Sequence, residues 1–217
     1  MPYEPHLDAA PAAVAIAPTP NLGQEWRTEL PAMAGSMVTL RELRMADAPA
    51  LFAALSTGQV SRFISPAPSS VEGFERFIAW SHRQRSTGHY VCFAVLLRGA
   101  DVPVGIFQLR SLEQAFGTSE WGFALAEELW GSGVFLDGAK LAVNFAFEVL
   151  GVRRLEARAA VKNGRGTSAL RKLGAVQEGL LRRSLVRNGE YLDQALWTIL
   201  ADEWLEAKTP SGPSIIH

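Results

Sequence analysis

The 217 residues are 48% hydrophobic and 20% charged with a net charge of −1, a composition that suits one soluble domain with a full-sized core. No global basic field is present to bind nucleic acid, and no stretch is long and apolar enough to span a bilayer as a helix. The single cysteine, Cys92, excludes an internal disulfide and points to a reducing cytoplasm, and together with four scattered histidines it gives no metal-ligand spacing.

Residues 1–36 are rich in Pro and Ala and read as an irregular N-terminal arm. Glu4 and Asp8 stand where a signal peptide would be positive, and Pro11, Pro18 and Pro20 interrupt its Ala-rich run. Trp26 and Leu30, four apart, could form one docking turn. Residues 37–207 are expected to form a single domain and 208–217 a loose tail. Val38–Arg44 alternates as a first strand, and Asp47 starts a short helix over Ala48–Leu55. Ser61–Ile64 reads as a brief helical turn before Pro66 and Pro68. Ser69 with Glu72 reads as a capping box for a helix whose inward face is Phe74, Phe77, Ile78 and Ser81. Tyr90–Leu97 and Val102–Leu112 are strands joined across Gly99, and Ser119–Leu125 follows. In that third strand Trp121, Phe123 and Leu125 share one face, while Glu120, Gly122 and Ala124 share the other. Glycine and alanine leave room there for something else to lie.

The chain is organised around the next stretch, in which Trp130-Gly131-Ser132-Gly133-Val134-Phe135 joins that strand to a helix reaching Leu150. Along this helix Asp137, Lys140, Asn144 and Glu148 form one solvated stripe. Free N–H groups and the positive dipole end at the glycine turn make an anion site, with phosphate the natural ligand. Three familiar loops fail by spacing. A dinucleotide fingerprint would need glycine at Leu136, a P-loop would need lysine at Ala139, and a hydrolase elbow would separate Ser132 from its glycines. Beyond the helix come a strand over Leu155–Val161 and a helix from about Gly166 to Lys172, ended by Gly174. A hairpin of Val176–Val186 and Tyr191–Leu200 closes at Asn188-Gly189, and a tail helix covers Asp202–Ala207. The order describes a mixed α/β (α+β) domain.

The glycine turn between strand and helix resembles the acyl-CoA pyrophosphate loop of the GNAT N-acetyltransferases, in the flavour of their RimJ/RimL-like branch. Asn163 followed by Ala169-Leu170-Arg171-Lys172-Leu173-Gly174-Ala175 resembles a second segment of that branch. Gly189-Glu190-Tyr191-Leu192-Asp193 and Glu203-Trp204 resemble its closing hairpin and tail. The similarity covers roughly Met37 to Trp204. It implies a mostly antiparallel central sheet, flanked by helices and splayed at its middle to admit acetyl-CoA. The implied activity is acetyl transfer to a primary amine, either a protein N-terminal α-amine or a small amine such as a polyamine or antibiotic. A non-catalytic acyl-CoA-binding or interaction module on the same scaffold is the alternative. Phe135, where the wider superfamily carries a small residue, and Gly166, where a serine is usual, keep it open.

Under that resemblance the amides of Ser132 to Phe135, with Trp130, Gly131, Gly133 and Val134 shaping the loop, would grip the diphosphate. Phe123, Ala124 and Leu125 would offer N–H groups to the thioester oxygen. Asn163 would bond the pantetheine amides or else cap a helix, and Arg165 or Arg171 would meet the 3′-phosphate. Glu120 is the candidate base, working through water; its other reading is a strand-end carboxylate paired with a neighbouring arginine. Tyr191 is the candidate acid. Arg182, Arg183 and Arg187 cluster on the hairpin as a solvated face or as a greeting for an acidic acceptor. The arm and the hairpin strands are candidate surfaces for a homodimer.

Overall fold

The computed structural model describes residues 24–62, 68–113, 116–187 and 189–208. Eight strands form one mixed sheet: β1 (Met33–Ala34), β2 (Val38–Glu42), β3 (Tyr90–Leu97), β4 (Pro103–Ser111), β5 (Thr118–Leu125), β6 (Arg154–Ala160), β7 (Val176–Arg187) and β8 (Glu190–Leu200). Their order is β1-β2-β3-β4-β5-β6-β8-β7, and every neighbouring pair is antiparallel except β5 with β6. The helices are α1 (Ala48–Leu55), α2 (Gly58–Ser61), α3 (Val71–Ser86), α4 (Val134–Glu148), α5 (Gly164–Leu173) and α6 (Ala201–Lys208).

Strand β3 shows why two helical layers are needed. Its apolar run is unbroken, so both faces must be covered. Val91, Phe93 and Val95 pack with Phe145 and Val143 of α4, while Tyr90, Cys92, Ala94 and Leu96 pack with Leu51 of α1 and Phe74 and Ile78 of α3. Burial pushes the Cys92 thiol up to about 12, as expected of an inert core sulfur.

Most elements match the expected ones in kind, with shifts at several ends; α2 (Gly58–Ser61) ends where the expected Ser61–Ile64 turn was to begin, and β1 was not expected. The cap of α3 is Ser70, not Ser69: its hydroxyl accepts from the Gly73 N–H at 3.1 Å. The stripe on α4 is only partly solvated, since Asp137 accepts four hydrogen bonds and Asn144 accepts one from the Trp204 indole at 2.8 Å. The segment read as an irregular arm contributes to the core from Trp26 onward. Trp26 meets Phe116 edge-on at 5.6 Å, Leu30 is buried beside it, and β1 joins the sheet. The arm up to residue 23, the end of the Ser61–Ile64 turn with Pro66, Asn188 and the tail from 209 lie outside the described residues.

Candidate active site

The site begins where the sheet opens. Strands β5 and β6 pair only over Thr118–Glu120 with Arg154–Glu156, yet β5 continues to Leu125 and β6 to Ala160. The alternation of the antiparallel ladder fixes which amides face the opening. Leu112 donates to Thr118 and Ala126 to Val104, so even-numbered residues of β5 bond to β4. Trp121, Phe123 and Leu125 therefore turn their N–H groups toward β6. Ala124 does not: its amide belongs to the β4 ladder, which removes it from the expected set of donors. On the far side β6 presents Ala157 and Ala159, both buried in the α4-side core.

The glycine turn stands at the open end of β5. Gly131 and Gly133 have φ of +80° and +95°, a region that side chains resist, and Gly133 is the last residue before α4. Ser132 commits its amide to the Leu129 carbonyl at 3.3 Å, and Val134 reaches only the Ser132 hydroxyl at 3.4 Å. The amides of Gly133, Phe135 and Leu136 meet no acceptor among the described residues. Three donors at the positive end of a helix of 15 residues suit a diphosphate. Phe135 does not block the opening. Its half-buried ring turns to the α4 side of the sheet, 4.4 Å from Phe123 and 6.0 Å from Phe107. Trp130 clamps the strand end, donating its indole N–H to the Leu125 carbonyl at 3.0 Å. With Gln59, Glu127, Glu128 and Arg165 it lines a depression of about 430 Å³.

Glu120 lies at the throat, on the sheet face that carries Gly122 and Ala124. Its carboxylate is ion-paired with Arg110 of β4, lies 3.7 Å from Arg158 Nε of β6, and keeps partial access to solvent. Register explains the pairing, because Arg110 is directly opposite Glu120. Next along this face Gln108 stands opposite Gly122 and accepts from the Tyr90 hydroxyl at 2.6 Å. Trp80 of α3 packs on Tyr90 at 4.8 Å, and burial raises the phenol well above its ordinary value. Arg110, Arg158, Gln108 and Tyr90 were missed from sequence. The Gly99 turn contained a signal only for Tyr90, Gln108 and Arg110 sharing one level of β3 and β4; their place beside Glu120 depends on the β4–β5 register, and that of Arg158 on the parallel pairing of β5 with β6.

The remaining residues divide. Asn163 is the N-cap of α5, its Oδ1 accepting from the Gly166 N–H at 2.9 Å. A Cβ at Gly166 would come within 2.6 Å of Asn163 Nδ2, so glycine there gives the cap its room. Arg165 stacks over Trp130 at 4.9 Å, beside the turn. Arg171 is not at the turn: it lies over Trp197 of β8 at 5.8 Å. Tyr191 is not brought to Glu120 either. Thr198 shares the level of Glu156, and Tyr191 is seven residues further along β8, roughly 23 Å at the usual strand rise. Its ring is exposed at 65%. Among the described residues no group of His, Cys, Asp and Glu could hold a metal ion, and no helix is long and apolar enough to cross a membrane.

Comparison with known proteins agrees with this geometry. The acetyltransferase (GNAT) domain family matches residues 37–176. The uncharacterized N-acetyltransferase p20 of Bacillus licheniformis is 24% identical over 168 residues, 77% of this chain and 94% of its own. Spermidine N(1)-acetyltransferase of Escherichia coli strain K12 is 29% identical over 107 residues, 49% of this chain and 58% of its own. Among solved structures, Mycobacterium smegmatis RimJ in complex with CoA-disulfide shares the fold, with a TM-score of 0.73 at 22% identity over 79% of this chain and 88% of that one. With its family matched over more than half its length, the chain belongs to the GNAT acetyltransferases and is an N-acetyltransferase.

Proposed function

We propose that the protein transfers the acetyl group of acetyl-CoA to the α-amine at the N-terminus of a peptide, with Glu120 taking the amine's proton through a water. The observation that carries this reading is the opening itself: pairing stops at Glu120 and Glu156, leaving strand amides turned into a gap beside a helix start with unpaired donors. The amine attacks the thioester carbonyl, the C–S bond breaks, and CoA leaves as a thiolate that takes its proton from water. Gly133, Phe135 and Leu136 hold the diphosphate with their N–H groups, and Arg165 supports the phosphate end from across the turn. The Phe123 N–H faces the gap and polarises the acetyl carbonyl oxygen, a donor that is in place before charge develops. Asn163 keeps its Nδ2 hydrogens for the pantetheine arm while Oδ1 caps α5. Trp80, Tyr90 and Gln108 form the floor on which the amine approaches.

An α-amine has a pKa near 8 and a lysine amine about 10.4, so an α-amine needs the smaller push to become a nucleophile. Glu120 supplies it, and a bridging water lets the carboxylate act while it stays beside Arg110. Glu120→Gln tests the role. Turnover should fall about a hundredfold or more, the range for loss of a general base, while the affinity for acetyl-CoA holds. Unchanged turnover would remove Glu120 from the mechanism. Binding of acetyl-CoA without CoA release for any peptide or polyamine would identify a non-catalytic module.

A further inference from the structure

Strand β7 breaks its register beside the throat. Leu181 pairs with Gln194 and Leu185 with Leu192, so Arg182, Arg183 and Ser184 stand opposite the single residue Asp193. Arg183 has φ of +52°, a left-handed conformation that a non-glycine residue adopts at a cost. The bulge is braced: Asp193 Oδ1 accepts from the Arg183 N–H at 2.7 Å, and the Ser184 hydroxyl bonds Leu181 O at 2.9 Å and Gln194 Oε1 at 3.0 Å. Arginine on an edge strand guards against aggregation, but that needs no strained backbone. With the register shifted there, the consecutive residues Arg182 and Arg183 line one and the same depression.

That place is an open depression of about 830 Å³, lined by Arg158, Arg182, Arg183, Leu180, Leu181 and Ser184. Arg158 is the link to the chemistry, since its Nε lies 3.7 Å from Glu120 Oε1. Arg182 and Arg183 make no ion pair among the described residues. Arg110 and Arg158 thus share one carboxylate, Glu120, and Asp193 spends an oxygen on the Arg183 backbone N–H, which leaves the Arg182 and Arg183 guanidinium groups without a carboxylate partner among the described residues. Further along β7, Arg187 has Nε and one terminal nitrogen shielded from solvent with no acceptor among the described residues.

We infer that this depression is a subsite for a carboxylate carried by the acceptor. The inference rests on the reading of Glu120 as the point where the amine is deprotonated. A guanidinium binds a carboxylate through two parallel N–H bonds, and the Arg158 side chain spans the distance from that point to the bulge. The acceptor is then an amine with a carboxylate a few bonds away: a peptide with an acidic residue near its N-terminus, or a free amino acid. A polycation would meet like charge.

The full-length protein is assayed with acetyl-CoA and peptides that differ only in Glu, Gln or Lys at the second position, with free amino acids and spermidine as separate arms. The Glu peptide should have a KM about tenfold below the Gln peptide, the gap should narrow as salt rises, and spermidine should be the poorest acceptor. Glutamate or aspartate outrunning every peptide would assign the carboxylate to a free amino acid and support the subsite equally. Arg182→Gln with Arg183→Gly should collapse the Glu-to-Gln discrimination; glycine accepts the left-handed backbone, so the bulge keeps its fold. Equal KM for Glu and Gln peptides, or full discrimination in the double variant, overturns the subsite while leaving acetyl transfer standing. If no amine is acetylated, the transfer reading fails. Equilibrium binding of the same peptides to the CoA-loaded protein then decides the subsite by the same Glu-to-Gln ratio.

Discussion

Asp137 ties the first long strand to the central helix. One oxygen accepts from the Ser36 N–H at 3.1 Å and its hydroxyl at 2.8 Å, and the other from the Met37 and Val38 N–H groups at 2.8 and 3.0 Å. Burial opposes ionisation here, but the donors of Met37, Ser36 and Val38 outweigh it and hold the carboxyl below its ordinary value. A folded value below the unfolded one means stability that is complete above about pH 4 and lost as pH falls through the folded value. Asp137→Ala should therefore cost about 1–3 kcal/mol at pH 7, with a smaller difference near pH 3 by urea unfolding. A difference independent of pH would show that the charge is not the cause. Asn163 allows a similar separation of roles. Asn163→Asp keeps the capping oxygen and loses the amide hydrogens, so stability should hold while CoA binding weakens. Asn163→Ala should lose about 1 kcal/mol of stability as well. If Asn163→Asp binds CoA as wild type does, the residue is a cap alone.

At the scale of elements, helix α4 sits close enough to the sheet to require glycine. A Cβ at Gly138 would come within 2.7 Å of the Phe107 ring and 3.5 Å of Val38. Gly138→Val should therefore lower stability by about 1–3 kcal/mol through overpacking, read from thermal unfolding. Unchanged stability would show that α4 can lift from β4 without penalty. On the other half of the sheet, Arg154 of β6 bonds Glu156 at 2.8 Å and both oxygens of Glu178 of β7 at 3.0 and 2.6 Å, and Thr198 of β8 donates to Glu178 at 2.7 Å. Hydrogen bonds from Arg154 and Thr198 bring Glu178 down to about 2. This tie joins the three strands at the level where β5 still pairs with β6. The sheet is held together immediately before it opens.

The whole molecule was legible where local pattern and tertiary demand agree. The alternation of Trp121, Phe123 and Leu125 against Glu120, Gly122 and Ala124 maps directly onto the two faces of β5. The glycines of the turn needed positive φ and have it. Pairings that depend on which strand lies beside which were not legible. The pairing of Glu120 with Arg110 follows from the β4–β5 register, and that with Arg158 from a parallel pairing across a long excursion through α4. The position of Tyr191 was not legible either: it lies seven residues along β8 from the level of Glu156, a separation that no local pattern encodes. The bulge at Arg183 is the second register shift in β7, after one between Gln177 and Gly179, and a shifted strand is where sequence periodicity carries least information.

The central physical claim is that the glycine turn and the gap beyond Glu120 together hold acetyl-CoA by its diphosphate. Calorimetric titration of the protein with CoA and with pantetheine, which lacks the diphosphate and nucleotide, tests it most directly. CoA should bind saturably at one site per chain, with pantetheine at least about a hundredfold weaker, two orders of magnitude being about 2.7 kcal/mol of binding free energy supplied by the diphosphate and nucleotide together. Equal affinity for the two, or no saturable binding of CoA, would contradict the account.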